Sequence, residues 1–207
     1  MDPACAAAAV AAGRLLESLG HDVEDASPDA LDTHAQLKDR GSGALPAYIA
    51  REVERWQEWT GQHVPPEELE PLTAALAEQG RELSATELLA AREGQETYTR
   101  AVARWWADGW DLLLTPTTAV TQPLIGAMGP LAPMSDILTG MAGCSAFTSP
   151  FNVTGQPAIS LPLGSTADGL PVGVQLVAAY GREDLLIRVA SQLESARPWA
   201  GLAPSAG

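Results

Sequence analysis

Cleaving an acyl bond with a protein nucleophile needs a serine or cysteine, a base within reach, and donors for the developing oxyanion. In these 207 residues few positions meet even the first condition. Ser42 sits in Gly41-Ser42-Gly43, a setting that reads as a flexible loop. Cys144 and Ser145 follow Gly143 among small residues, where packing is the simpler role for the thiol. The Gly-x-Ser-x-Gly elbow is absent. His21 and His63 stand near helix ends and His34 in a polar loop, so each reads as a surface or capping residue. Lys38, the one lysine, lies in a charged Lys-Asp-Arg run, whereas a lysine acting as base must be desolvated. No carboxylate pair shares an apolar setting, no glycine loop cradles a phosphate, and neither Cys5 nor Cys144 has a histidine at ligand spacing. Read this way, the chain carries no catalytic residue, no metal site and no cofactor.

The charge balance narrows the partners. Twenty-six acidic residues face twelve basic ones, a net charge of −14, which repels nucleic acid and anionic lipid. Solubility explains that acidity more simply than an acidic binding face. Cys5 and Cys144 lie far apart, no basic and apolar leader opens the sequence, and no apolar run nears the roughly 20 residues that span a bilayer. The expectation is free thiols, a cytoplasmic location, and neither nucleic acid nor membrane as partner.

The elements that would position any chemistry centre on Phe147 to Ala179. Two apolar runs, Ala158–Leu163 and Val172–Ala179, flank Asp168-Gly169 and read as neighbouring strands joined by a turn. In the second run Gln175 is the single polar residue on either face, so that strand belongs inside a covered sheet. Asp2-Pro3 starts a helix that Gly20 stops, and His21–Ala26 reads as a short strand after it. That is half of an α/β repeat whose preceding strand is missing. Three helices are expected between Leu45 and Asp108. The first holds Tyr48, Ile49, Val53, Trp56 and Trp59 on one side, the second runs from Pro65 to a stop near Gly80, and the third is capped by Ser84 with Glu87. Asp111–Pro116 reads as a short buried strand, residues 116 to 134 as a long proline-rich loop, and Arg182–Ala196 as a closing amphipathic helix.

Several of these segments resemble the amidase signature hydrolases. Asp111-Leu-Leu-Leu-Thr-Pro-Thr-Thr118 is similar to their Asp-hydrophobic-Leu-hydrophobic-Thr-Pro-Thr segment. Phe147 to Leu163 resembles their Phe-Thr-x-x-Phe-Asn-x-Thr-Gly-x-Pro-Ala-x-Ser-x-Pro segment. Gly169–Leu176, the closing helix, and Asp2-Pro3 through Glu24 also match in order, and Leu45–Asp108 looks like the variable helical region of bacterial members. The resemblance implies an α/β fold: the C-terminal half of the amidase signature fold, a mixed β-sheet flanked by helices with a helical insertion. Helix and strand would occupy 1–26, the insertion 45–108, sheet core and closing helix 109–199, and a tail 200–207.

It further implies hydrolysis of linear amide C–N bonds by a serine, with a second serine on a cis peptide and a lysine as proton relay. Those groups belong to the family's first half, and no residue here matches them. The expectation is therefore a chain that supplies sheet core and pocket wall and is inactive alone. Phe147, Thr148, Asn152, Thr154 and Gly155 would line the substrate pocket, although for Asn152, Thr154 and Gly155 a hydrogen-bonded turn feeding the strand is the simpler role. Partners would be the missing N-terminal half or a second copy, with a small amide substrate only in the complete enzyme. Two alternatives stand beside this: a non-catalytic interaction or scaffold remnant, and a small hydrolase using Ser145 or Cys144. An orphaned sheet edge forfeits about 25 cal/mol per Å² of uncovered apolar surface, so marginal stability is expected of the isolated chain.

Overall fold

The two apolar runs become strands because their turn has the residues it needs. In the computed structural model, which describes residues 1–34 and 44–199, β1 spans Leu112–Pro116, β2 Ala158–Ser165 and β3 Pro171–Ala178. The β2–β3 turn closes on Gly169 at φ +87°, a left-handed conformation that a side chain disfavours. Thr166 locks it, accepting from the Leu170 N–H at 2.9 Å and donating to Asp168 at 2.6 Å, which holds that carboxyl below its usual range. The strand order is β1-β3-β2, antiparallel throughout. Lys38 and Ser42 lie outside the described residues.

The chain divides into a sheet unit (Met1–Ser27, Ala103–Pro123 and the described residues from Met141 on) and a helical unit (the described residues of Pro28–Val102, with Leu124–Gly140). In the sheet unit, helix α1 (Pro3–Ser18) begins as its sequence dictates. The Asp2 carboxylate accepts the Ala4 N–H at 2.8 Å, Pro3 fills the first turn, and Gly20 at φ +89° follows the end. Its small face, Cys5, Ala8, Ala12 and Leu16, is buried. The last helix, Glu183–Ala196, buries Leu186, Val189, Ala190 and Leu193. Both helices join the alternate residues Val172, Val174, Leu176 and Ala178 of β3 in one core.

Two expectations fail here. His21–Ala26 forms no strand. The segment has no ladder partner among the described residues, and an extended chain becomes a strand only through a neighbour's hydrogen bonds. Its first residue is held instead through the ring, His21 Nε2 to Gln192 Oε1 at 2.8 Å. Likewise β1 is only half-buried at Leu112 and Leu114, because it is an edge strand rather than an interior one.

The helical unit contains α2 (Ala44–Thr60), α3 (Pro71–Glu82) and, up to Val102, α4 (Ala85–Ala107). Ser84 and Glu87 form the expected reciprocal cap, Glu87 N–H to Ser84 Oγ at 3.2 Å and Ser84 N–H to Glu87 Oε2 at 2.9 Å. Three expectations are corrected. Tyr48, Trp56 and Trp59 of α2 face outward, at 57 to 76% exposure, while Ala50 and Val53 are buried. The residues from Pro65 make a separate turn of 3₁₀ helix before α3 starts at Pro71. Gly80 does not end α3. It lies inside that helix, where a β-carbon would overlap the Pro46 carbonyl of α2, so it is the contact point of two closely packed helices.

Tyr98 of α4 is buried beside the His34 ring, 5.4 Å between centroids, and its hydroxyl has no hydrogen-bond partner among the described residues. Burial disfavours the phenolate and pushes its pKa up to about 12. An unsatisfied buried hydroxyl costs on the order of 1 kcal/mol, so Tyr98→Phe should raise stability by up to about that amount at neutral pH. The folded state also holds this proton more tightly than the unfolded chain does. Stability should therefore fall as pH rises from about 10 through the folded value, a loss absent in Tyr98→Phe. Urea titrations of both proteins at pH 7 and pH 11 measure both effects.

Candidate functional site

The second face of the sheet is the polar one. Register places Thr115 of β1, Gln175 of β3 and Ser160 of β2 side by side across the three strands. Beyond the end of β1, the Thr117 N–H continues the ladder to the Gly173 carbonyl at 3.0 Å. That brings Thr117 Oγ1 to 2.6 Å from Ser160 Oγ. Gly173 is what permits the pair: a β-carbon there would stand 2.8 Å from both hydroxyl oxygens.

Gln175 is 3% exposed and spends its amide on the structure around it. Nε2 donates to Thr115 Oγ1 at 3.1 Å and to the Phe147 carbonyl at 2.9 Å. The loop after β1 is fastened in turn: Thr118 Oγ1 donates to the Val120 carbonyl at 2.7 Å, Ala119 N–H to the Gly143 carbonyl at 2.9 Å, and Gln122 Nε2 to the Pro171 carbonyl. Between loop and sheet lies a pocket of about 260 Å³, with Thr117, Thr118, Ser160, Gly173, Cys5 and Cys144 in its lining. Sites for small molecules generally run from about 300 to 1,000 Å³, so this hollow has the size of part of a site.

The five residues expected at a pocket wall fall in different places. Phe147 reaches the hydroxyl row through its carbonyl. Thr148 precedes a short helix, Ser149–Thr154, on which Asn152 is exposed. Thr154 is buried, donating to the Pro150 carbonyl at 3.0 Å and to the Gln156 side chain, and Gly155 ends the helix at φ +79°. Thr154 and Gly155 thus shape the turn into β2, as a short helix where a plain turn was expected. The pocket lining includes none of the five.

Ser145 and His63 are engaged elsewhere. Ser145 Oγ donates to the Met141 carbonyl at 2.7 Å, in the last turn of a helix spanning Met134–Ser145. His63 Nδ1 pairs with Gln57 at 2.9 Å, and Cys144 is half-buried. Among the described residues, no hydroxyl of the row is hydrogen-bonded to a histidine or a lysine. The row can hydrogen-bond and orient a polar group; no base is paired with it.

Sequence reasoning missed Thr117 and Ser160 as a pair. Both lay inside matched segments, but they are 43 positions apart and meet only through strand register. Gln175→Leu tests how firmly the wall is held. It leaves the Phe147 carbonyl and the Thr115 hydroxyl without their donor, and should cost about 1–3 kcal/mol in a urea titration.

Comparison with known proteins decides the family. The Amidase family model matches residues 1–187. The chain belongs to the amidase family. It is 44% identical to the 6-aminohexanoate-cyclic-dimer hydrolase of Paenarthrobacter ureafaciens over 99% of its own length and 42% of that protein. The solved structure of 6-aminohexanoate cyclic dimer hydrolase complexed with substrate superposes at a TM-score of 0.90, with 43% identity over 99% of this chain and 44% of that one. A bacterial aryl acylamidase of the amidase signature family shares the fold, at a TM-score of 0.75 and 19% identity over 96% of this chain and 41% of its own. The amidase chain is therefore α/β with the amidase signature fold, and it spans about two-fifths of the length of the relatives it matches. Among the described residues, no helix is long and apolar enough to cross a membrane.

Proposed function

We propose that this chain is the C-terminal part of an amidase-type hydrolase of carboxylic amide C–N bonds. It supplies the sheet core and one wall of the substrate pocket. The paired serines and the lysine of the reaction come from polypeptide outside it, a companion N-terminal portion. The observation that carries this reading is the two-sided sheet. One face is sealed by α1 and the closing helix, while the other presents Thr117 and Ser160 to a hollow too small to be a complete site, beside the buried Thr115–Gln175 pair. Such a wall orients an amide by hydrogen bonds, and nucleophile and base approach from elsewhere. The substrate class is a small amide, with the cyclic dimer of 6-aminohexanoate the first compound to test, given the 44% relative.

The assay measures hydrolysis of that dimer by the chain alone, and by the chain co-expressed with the part of the Paenarthrobacter ureafaciens hydrolase outside the match. No turnover above the blank is expected for the chain alone, and turnover is expected for the pair. Amide hydrolysis by the chain alone, at a rate comparable with the whole relative, would overturn the dependence.

A further inference from the structure

Helix α2 turns its small residues inward and its large ones out. Pro46, Ala50 and Val53 are buried, whereas Leu45, Tyr48, Trp56 and Trp59 are 57, 60, 57 and 76% exposed. At 100° per residue these four lie within one side of the helix, together with Glu52 and Arg55, and the stripe spans about 21 Å. Trp56 and Trp59 stand edge to face, 5.7 Å between centroids, and the Arg55 guanidinium lies 5.9 Å from the Trp59 ring centre. More than half of each large side chain is open, so the stripe leaves on the order of 500 Å² of apolar surface uncovered. That is the upper part of what a monomer ordinarily exposes in one patch.

The spacing says what fits. Leu45 and Trp59 lie seven residues either side of Glu52, and Tyr48 and Trp56 four either side. A two-fold axis through Glu52 therefore sets Leu45 against the partner's Trp59 and Tyr48 against the partner's Trp56, with the two helices antiparallel. The charges in the stripe are self-complementary too. Glu52 and Arg55 already pair at 2.6 Å, and the same axis brings each Arg55 within reach of the partner's Glu52. The stripe carries one acid and one base, so the chain's overall acidity is not concentrated there; its other charges are screened beyond about 8 Å at physiological salt. Two stripes together offer on the order of 1,000 Å², the size at which a specific interface begins.

We propose that the outer face of α2 binds the same face of a second copy of this chain, antiparallel about Glu52. The four large side chains form the apolar centre, and Glu52 and Arg55 of both copies make one charge network across the axis.

The test is sedimentation of the full chain across a concentration series at physiological salt. A monomer–dimer equilibrium is expected. Trp56→Gln/Trp59→Gln, both at exposed positions, should raise its dissociation constant at least about a hundredfold, while the far-ultraviolet helix signal stays unchanged. Cross-linking then reads the geometry. Under mild oxidation Glu52→Cys, on the axis, should form a covalent dimer at least tenfold faster than Glu54→Cys, which points to the opposite side of the helix.

A chain that stays monomeric up to submillimolar concentration would overturn the proposal. So would a dimer that survives Trp56→Gln/Trp59→Gln, or equal cross-linking from positions 52 and 54. Co-expression with the companion N-terminal portion tests the other occupant: two copies of each polypeptide are expected. A pair with one copy of each, lost on Trp56→Gln/Trp59→Gln, would give the face to the companion and overturn the second copy. None of these readouts measures turnover, so the dimer and the amidase reading fail separately.

Discussion

Gly164→Val is expected to destabilise the sheet unit by about 3 kcal/mol, as a valine forced into a close helix–sheet contact does when the backbone has to move. Gly164 lies on β2 opposite Val172, directly under Ala8 of α1. A β-carbon there would overlap the Ala8 β-carbon and stand 3.3 Å from Val172 Cβ. Neither neighbour ends in a flexible side chain that can swing away, so α1 itself must lift, and with it the buried contacts of Cys5, Ala12 and Leu16. The alanine-rich sequence of α1 has its physical reason here: small residues on both sides let helix and strand approach. Gly169→Ala is the contrasting control. No atom crowds that position, but φ is +87°, so the cost is backbone strain of about 1 kcal/mol. Urea titration separates the two, and Ala8→Gly should recover part of the loss at Gly164 and none at Gly169. Equal losses at the two glycines would refute the close-contact account.

What the sequence disclosed follows from how local each cause is. The β2–β3 hairpin, α1 and the Ser84 cap were legible because a few adjacent residues determine them: Gly169 and Thr166, Asp2 and Pro3, Ser84 and Glu87. Gly80 looked like a helix stop because glycine usually is one; only the tertiary partner, Pro46, reveals a contact point instead. Tyr48, Trp56 and Trp59 share a side of α2, yet spacing alone does not say that Ala50 and Val53 mark the buried side. His21–Ala26 carries a strand's residues but has no strand neighbour among the described residues, so it forms no strand.

The site was legible in part for the same reason. Gln175 stood out as a polar residue in an apolar strand, and the structure gives it two acceptors, Thr115 and Phe147, 60 and 28 positions away. Thr117 and Ser160 had no local mark, since hydroxyls near strand ends are common and their meeting depends on register. Phe147 lies beside that row through its carbonyl, which accepts from Gln175 Nε2, a contact no side-chain pattern encodes. Thr154 and Gly155 obey the simpler rule of capping and turn formation.

Leu176→Ala should cost about 3–5 kcal/mol, the upper part of the range for a leucine truncated where the surroundings cannot collapse. Leu176 is fully buried in β3, the central strand, paired with Leu114 on one side and Ile159 on the other. Its side chain belongs to the core shared with α1 and the closing helix. Two effects therefore add: a lost apolar side chain, and a cavity between ladders whose spacing is set by hydrogen bonds. Leu176→Met keeps the volume and should cost less than about 1.5 kcal/mol, which separates packing from any special need for leucine.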